Sequence, residues 1–210
     1  MPRSPYREEE FWNTATHGLG FLLGLLGAYV LNLQARGLSA TALWSVWTYN
    51  IGVLFLFAAS TAYHWAVQPS LKRKLRVVDH IGIYYLIAGT YTPVALLVLS
   101  DSRGWMLFWL VWSFAIVGTF LKIFFTGRFE IFSLLLYLIM GWLIILDLNP
   151  LIQNLSHQAL LFLMAGGAFY TVGILFYAIR RIPFNHLIWH IFVLCGAICH
   201  WILISLIIPR

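Results

Sequence analysis

Seven long apolar runs, separated only by short polar connections, constrain this chain more than any other feature. They fall near residues 17–35, 41–66, 78–99, 105–125, 130–148, 158–179 and 184–208. A helix needs about 20 mainly apolar residues to cross a hydrocarbon core, whereas a barrel strand reads as about ten residues of alternating polarity. The runs here are continuous, so they predict helices. Charged residues make up 10% of the 210 and hydrophobic ones 61%, where a soluble domain carries roughly a quarter charged. So few charges cannot cover so much apolar surface in water, which excludes a soluble globular fold, a disordered chain and a disulfide scaffold. The expected fold is an all-α integral membrane protein, a seven-transmembrane helix bundle. Residues 1–16 form its polar N-terminal segment and 17–208 a single membrane domain. Cys195 and Cys199 lie inside the last run and read as small apolar fillers. The polar N-terminus does not read as a cleavable signal.

Basic residues in connecting loops set the orientation. Arg3, Arg7, Lys72, Arg73, Lys74, Arg76, Lys122, Arg128, Arg180 and Arg181 fall on the N-terminal side of the alternating runs, and Arg36, Arg103 and Arg210 on the other. This split of ten to three predicts a cytoplasmic N-terminus and an outer C-terminus. Receptors of the G-protein-coupled type have the opposite orientation. The net charge of +6 is therefore read as a topology signal and not as a nucleic-acid footprint.

An ionisable side chain at membrane depth is expensive and is a functional hypothesis by default. His17, Ser60 with His64, Asp79 with His80, and His186 with His190 all fall at the predicted cytoplasmic ends of their runs. Four runs scattered along the sequence thus deliver polar groups to one depth. The i, i+4 spacing of His186 and His190 puts both imidazoles on one helix face, and Ser60 and His64 share that spacing. Asp79 follows His64 across a short basic loop. Three neutral imidazoles from two helices suit Zn²⁺ with a fourth position open, the pattern of a catalytic site. Asp79 is the candidate general base, and Ser60 a hydrogen-bonding partner of water, substrate or a ligand histidine. His80 is rotated about 100° from Asp79 along a helix, so it and His17 are candidates for an outer supporting role. His200 is 14 residues past His186, roughly 20 Å at the helical rise and too far to share the metal. His157 reads as a solvated loop residue and Asp147 as interfacial. Pro93 predicts a kink in the third run, with Thr90 and Thr92 helping to satisfy the carbonyl it frees. Gly166, Gly167 and Gly173 predict close packing of the sixth run. Trp44, Trp65 and Trp105 are expected interface anchors.

Several stretches resemble the bacterial hemolysin III family, within the progestin and adipoQ receptor (PAQR) superfamily. They are Glu8-Glu9 with Asn13 and Thr16-His17-Gly18, Ser60-Thr61-Ala62-Tyr63-His64, Asp79-His80, Leu86 to Pro93, Tyr137 with Gly141-Trp142, and His186 to His190 with Phe192-Val193. The resemblance covers nearly the whole chain. It implies seven helices with a cytoplasmic N-terminus and a zinc ion near the cytoplasmic surface. The positions matching the three histidine ligands of adiponectin receptors are His64, His186 and His190. Asp79 matches the family's Asp beside the metal and Ser60 its helix-two Ser. The superfamily's relation to alkaline ceramidases implies hydrolysis of a lipid amide or ester, with a membrane lipid as substrate, in a bacterial cytoplasmic membrane. Two readings compete with this one. The first is a non-enzymatic receptor or regulator with structural zinc. The second is a cytolytic, hemolysin-like protein, although the polar groups do not line a path across the membrane.

The charge split makes a direct prediction. A periplasm-dependent alkaline phosphatase fused after Arg210 is active, and a cytoplasm-dependent fluorescent protein fused there is dark. The reverse pattern would reject the orientation.

Overall fold

The structure is a computed structural model that describes residues 5–125, 130–179 and 181–208. The described helices are α1 (Pro5–Gln34), α2 (Ala40–Trp65), α3 (Pro69–Pro93), α4 (Gly104–Phe125), α5 (Glu130–Trp142), α6 (Leu148–Asn154), α7 (His157–Ala178) and α8 (Asn185–Ile207). A π-helical turn over Val94–Val98 extends α3, and a 3-10 turn over Leu143–Asp147 joins α5 to α6. Among the described residues there are no strands, and seven continuous segments are long and apolar enough to cross a membrane. The outer surface suits that setting. Leu22, Leu26, Ile51, Trp109 and Ile131 are each more than half exposed, whereas a soluble protein keeps exposed apolar patches to a few hundred Å². Trp44, Trp65 and Trp105 are exposed as well.

Close approach of α2 and α3 forms the centre of the bundle. A Cβ on Gly52 would lie 2.6 Å from the Tyr85 carbonyl oxygen, and one on Gly89 would lie 3.0 Å from the Thr48 carbonyl oxygen. With no hydrophobic drive between helices in lipid, such backbone proximity supplies packing that bulkier residues would prevent. Val46, Tyr49, Leu56 and Phe57 of α2 are almost fully buried around this seam, with Leu86 of α3 and Leu203 and Ile204 of α8. A second cluster joins Tyr84 and Ala88 of α3 to Val111 and Ala115 of α4 and Tyr137 and Met140 of α5. On the far side, a Cβ on Gly173 would meet Trp189 and Phe192, and one on Gly166 would meet the His200 ring. The sixth run therefore packs through Gly166 and Gly173. Gly167 has nothing within 4 Å of a would-be Cβ and lines a cavity instead.

The helices outrun their apolar stretches. Residues 5–16 form the first turns of α1, because nothing between Pro5 and His17 breaks a helix. Pro69, at the start of α3, likewise brings the basic stretch Lys72 to Arg76 into the helix. Lys122, assigned to a loop by its charge, lies in the last turn of α4 and is buried. Asp147, expected near the membrane interface, is buried within the protein. Its carboxylate accepts from Ser102 Oγ at 2.5 Å and from the Arg103 amide at 2.9 Å, tying the α3–α4 connection to the end of the 3-10 turn. His157 is exposed but is the first residue of α7, capped by Ser156. Arg3, Arg128, Arg180 and Arg210 of the charge count lie outside the described residues.

Pro93 acts differently from expectation. Its missing N–H leaves the Gly89 carbonyl without its helical donor, yet Thr90 Oγ1 donates to Leu86 O and Thr92 Oγ1 to Ala88 O, both at 2.8 Å. A helical Thr reaches back to its own i−4 carbonyl, so neither hydroxyl serves Gly89. The disturbance is taken up downstream, by the π-helical turn.

The α2–α3 seam predicts an asymmetry between two glycines. Gly52→Ala forces a methyl against backbone and costs about 1–3 kcal/mol. Gly141→Ala enters open space and, by helix propensity, is neutral or stabilising by up to about 1 kcal/mol. Thermal unfolding in detergent should place the Gly52 variant well below wild type and the Gly141 variant at or above it.

Candidate metal centre and internal cavity

His64 stands in the last turn of α2, and His186 and His190 in the first two turns of α8. Their rings gather with centroids 5.1 Å (His64–His186), 4.8 Å (His64–His190) and 4.7 Å (His186–His190) apart. One nitrogen from each lies within 4.8 Å of the others, so the three could hold a metal ion. The donor set fits a borderline-soft divalent cation. The hydrogen-bonding pattern fits too. Nε2 of His64 and of His186 is shielded from solvent with no partner. Meanwhile His64 Nδ1 lies 3.2 Å from Glu10 Oε2, and His190 Nδ1 lies 3.3 Å from the Asn13 carbonyl oxygen. A buried nitrogen left without a partner is costly, and an imidazole held at one nitrogen by an oxygen presents its other lone pair to a metal.

Backbone geometry places these rings. α8 starts after Phe184, whose φ of 55° is the one positive value among described non-glycine residues. The turn brings the His186 amide, in a first turn that lacks helical acceptors, within 3.3 Å of Glu9 Oε1. An acidic side chain of α1 therefore caps α8.

Asp79 and Ser60 lie beside the triad. Both are buried, and the Ser60 hydroxyl neighbours the Asp79 carboxylate. His80 points away from the triad, as its rotation along α3 requires. Its Nδ1 donates to the Arg76 carbonyl at 2.7 Å and is 3.4 Å from Asp79 Oδ2. Its Nε2 faces the Tyr177 hydroxyl at 3.4 Å and Glu130 Oε2 at 3.9 Å. Glu130 also collects Arg76 at 3.0 Å and Lys122 at 2.9 Å, which accounts for the buried lysine. His17 stacks on His190 with centroids 3.6 Å apart and planes 11° from parallel.

Several of these polar groups line a cavity of about 140 Å³, measured as space open to the centre of a water molecule. One water needs roughly 10–15 Å³ on that measure, so the cavity is far larger than a hydration site. Ser60, Asp79, His186 and His190 line it, as does His200, with Leu134, Leu163 and Val193 among the largely apolar walls. His200 thus shares the cavity with the triad but not the centre.

Sequence reasoning missed Glu10 and Asn13 as neighbours of the centre. The signal was available, because Glu10, Asn13 and His17 recur at i, i+3 and i+7, one face of a helix. Reading residues 1–16 as a separate polar segment concealed it.

Fold and site together define a multi-pass membrane protein with three convergent histidines beside a largely apolar cavity. The chain belongs to the haemolysin-III related family, whose model matches residues 6–201. It is 41% identical over 191 residues to Hemolysin-3 of Bacillus cereus, covering 90% of this chain and 87% of that protein. Identity to the Hemolysin-3 homolog of Bacillus subtilis (strain 168) is also 41%, over 90% of each chain. The human Monocyte to macrophage differentiation factor is 30% identical over 168 residues, covering 75% of this chain and 67% of that protein.

The geometry predicts which histidines matter for metal. His64→Ala or His190→Ala purified without chelator should lose bound divalent metal, measured by elemental mass spectrometry, and His157→Ala should keep it. Equal metal in all three would reject the triad as the centre.

Proposed function

We propose that this protein is a Zn²⁺-dependent hydrolase of a lipid amide or ester, acting at the cytoplasmic end of the bundle in a bacterial cytoplasmic membrane. One observation carries the reading: two histidines of a metal-competent triad, His186 and His190, and the Asp79 carboxylate line one largely apolar cavity. A purely structural metal would need neither the carboxylate nor the cavity. A channel would need polar lining throughout, and the cavity walls are mainly apolar.

His64, His186 and His190 would hold the ion, which when bound supplies a Lewis acid for a carbonyl oxygen and for water. The chain's own groups do the rest. The apolar walls take up an acyl chain, worth about 0.8 kcal/mol per buried CH₂ before the costs of association. Asp79 accepts the proton of the attacking water at a carboxylate oxygen. The remaining hydroxide oxygen bonds to the acyl carbon, the C–N or C–O bond breaks, and Asp79 returns its proton to the leaving nitrogen or oxygen. His80, whose Nδ1 lies 3.4 Å from Oδ2, would help to orient the carboxylate, and the Ser60 hydroxyl would donate to Asp79 or to the substrate carbonyl. Membrane lipid is the partner this arrangement takes.

Asp79→Asn keeps the shape of the site and removes the base. With a panel of long-chain acyl amides and esters in detergent, it should lower turnover by about 10²–10⁴-fold while metal content stays at the wild-type level. Full turnover in that variant would sink the mechanism. Metal-loaded wild type that cleaves no member of the panel would favour a receptor or regulator whose metal staples α2 to α8.

A further inference from the structure

A neutral imidazole has one N–H and one lone pair, and what touches the first decides where the second points. The first turns of α1 touch every histidine of the triad. Glu10 Oε2 meets His64 Nδ1 at 3.2 Å, the Asn13 carbonyl meets His190 Nδ1 at 3.3 Å, and Glu9 Oε1 accepts from the His186 amide at 3.3 Å. His17, 3% exposed, stacks on His190. The Glu10 oxygen that faces His64 also receives Lys72 Nζ. That ammonium is held by the Tyr63 carbonyl at 3.2 Å and lies 4.7 Å from the Tyr63 ring centroid. One carboxylate oxygen is thus shared between a fixed positive charge and a candidate metal ligand.

We propose that the N-terminal turns of α1 form a coupled outer wall of the metal centre, in which Glu10 is a positioning residue. Glu10 fixes His64 with its proton on Nδ1 and its lone pair on Nε2, the buried nitrogen that has no partner. Lys72 sets how strongly the carboxylate acts, because it draws on the same oxygen. Asn13 acts through its backbone, so the tautomer of His190 depends on α1 being docked. Metal occupancy and docking of residues 9–17 therefore favour one another by the same free energy, as linkage requires. The inference rests on the metal-binding half of the proposed function and is independent of hydrolysis.

The test uses the full-length protein in detergent micelles, with Zn²⁺ as probe. Apparent Zn²⁺ affinity is measured by competition with a chelating dye for wild type, Glu10→Ala, Glu10→Gln and Lys72→Met. Hydrogen exchange of residues 7–17 is followed with and without the ion. Glu10→Ala should bind Zn²⁺ about 10–100-fold more weakly. Glu10→Gln keeps an acceptor oxygen but no charge, should lose less, and carries the test if the Ala variant misfolds. Lys72→Met should bind as tightly as wild type or tighter, and Zn²⁺ should slow exchange in residues 9–17 of wild type. Unchanged affinity in Glu10→Gln and Glu10→Ala, with wild type binding one Zn²⁺, would overturn the inference and leave the metal site standing. Equal weakening in Lys72→Met and Glu10→Ala would overturn it too, because the ion pair would then only hold α1 in place. A wild type that binds no Zn²⁺ would overturn both.

Discussion

Water is absent from the hydrocarbon core of a bilayer, so a polar group carried into the bundle needs a partner on another helix or inside an enclosed cavity. The rest of this structure depends on that constraint. Many of its ionisable groups are gathered at one end of the bundle, where several are answered by a neighbour: Glu10 by His64 and Lys72, His80 by the Arg76 carbonyl and Asp79, and Glu130 by Arg76 and Lys122. Nε2 of His64 and of His186 is left without a partner, as are the ring nitrogens of His17 and His200. In a medium where an unpaired polar atom is costly, His64 and His186 are distinguished by standing with His190 in a group that could hold a metal ion.

The packing that supports this end is carried by small residues. Gly52 and Gly89 let the backbones of α2 and α3 approach closely, which fixes His64 relative to Asp79 across a short connection. The same helices therefore carry both the tightest seam and two of the site's elements. α8 is positioned at its start by the left-handed Phe184 and by Glu9, and along its length by Trp189 and Phe192 against Gly173. Rigid helices meeting at one depth hold a metal-competent geometry better than loops would.

The cavity follows from where packing is withheld. Gly141 on α5 and Gly167 on α7 both line it and have open space where a side chain would sit. The glycines of α2 and α3 bring backbones together, while these two keep a space clear. That division of roles gives the bundle a dense seam at α2 and α3 and a largely apolar cavity beside two of the histidines.

The sequence by itself determined the number of spans, their approximate limits and the membrane class, because a 20-residue apolar run has few alternatives. It also determined that His64, Asp79, His186 and His190 share a depth, since spans and their alternation are enough for that. Helical periodicity put His186 and His190 on one face without any tertiary information. Only the tertiary structure decided which neighbours those groups have. Glu10 and Asn13 were hidden because a polar stretch before an apolar run looks like a tail until its helix is seen to continue and dock. Lys122 and Asp147 looked like surface charges because burial depends on partners: Glu130 stands across a helix–helix connection from Lys122, and Ser102 and the Arg103 amide are remote in sequence from Asp147. The contrast between Gly166 and Gly167 likewise came from what stands opposite each one, His200 in one case and the cavity in the other. Periodicity and transfer free energy act along one chain, whereas pairing and enclosure exist only between elements that folding brings together.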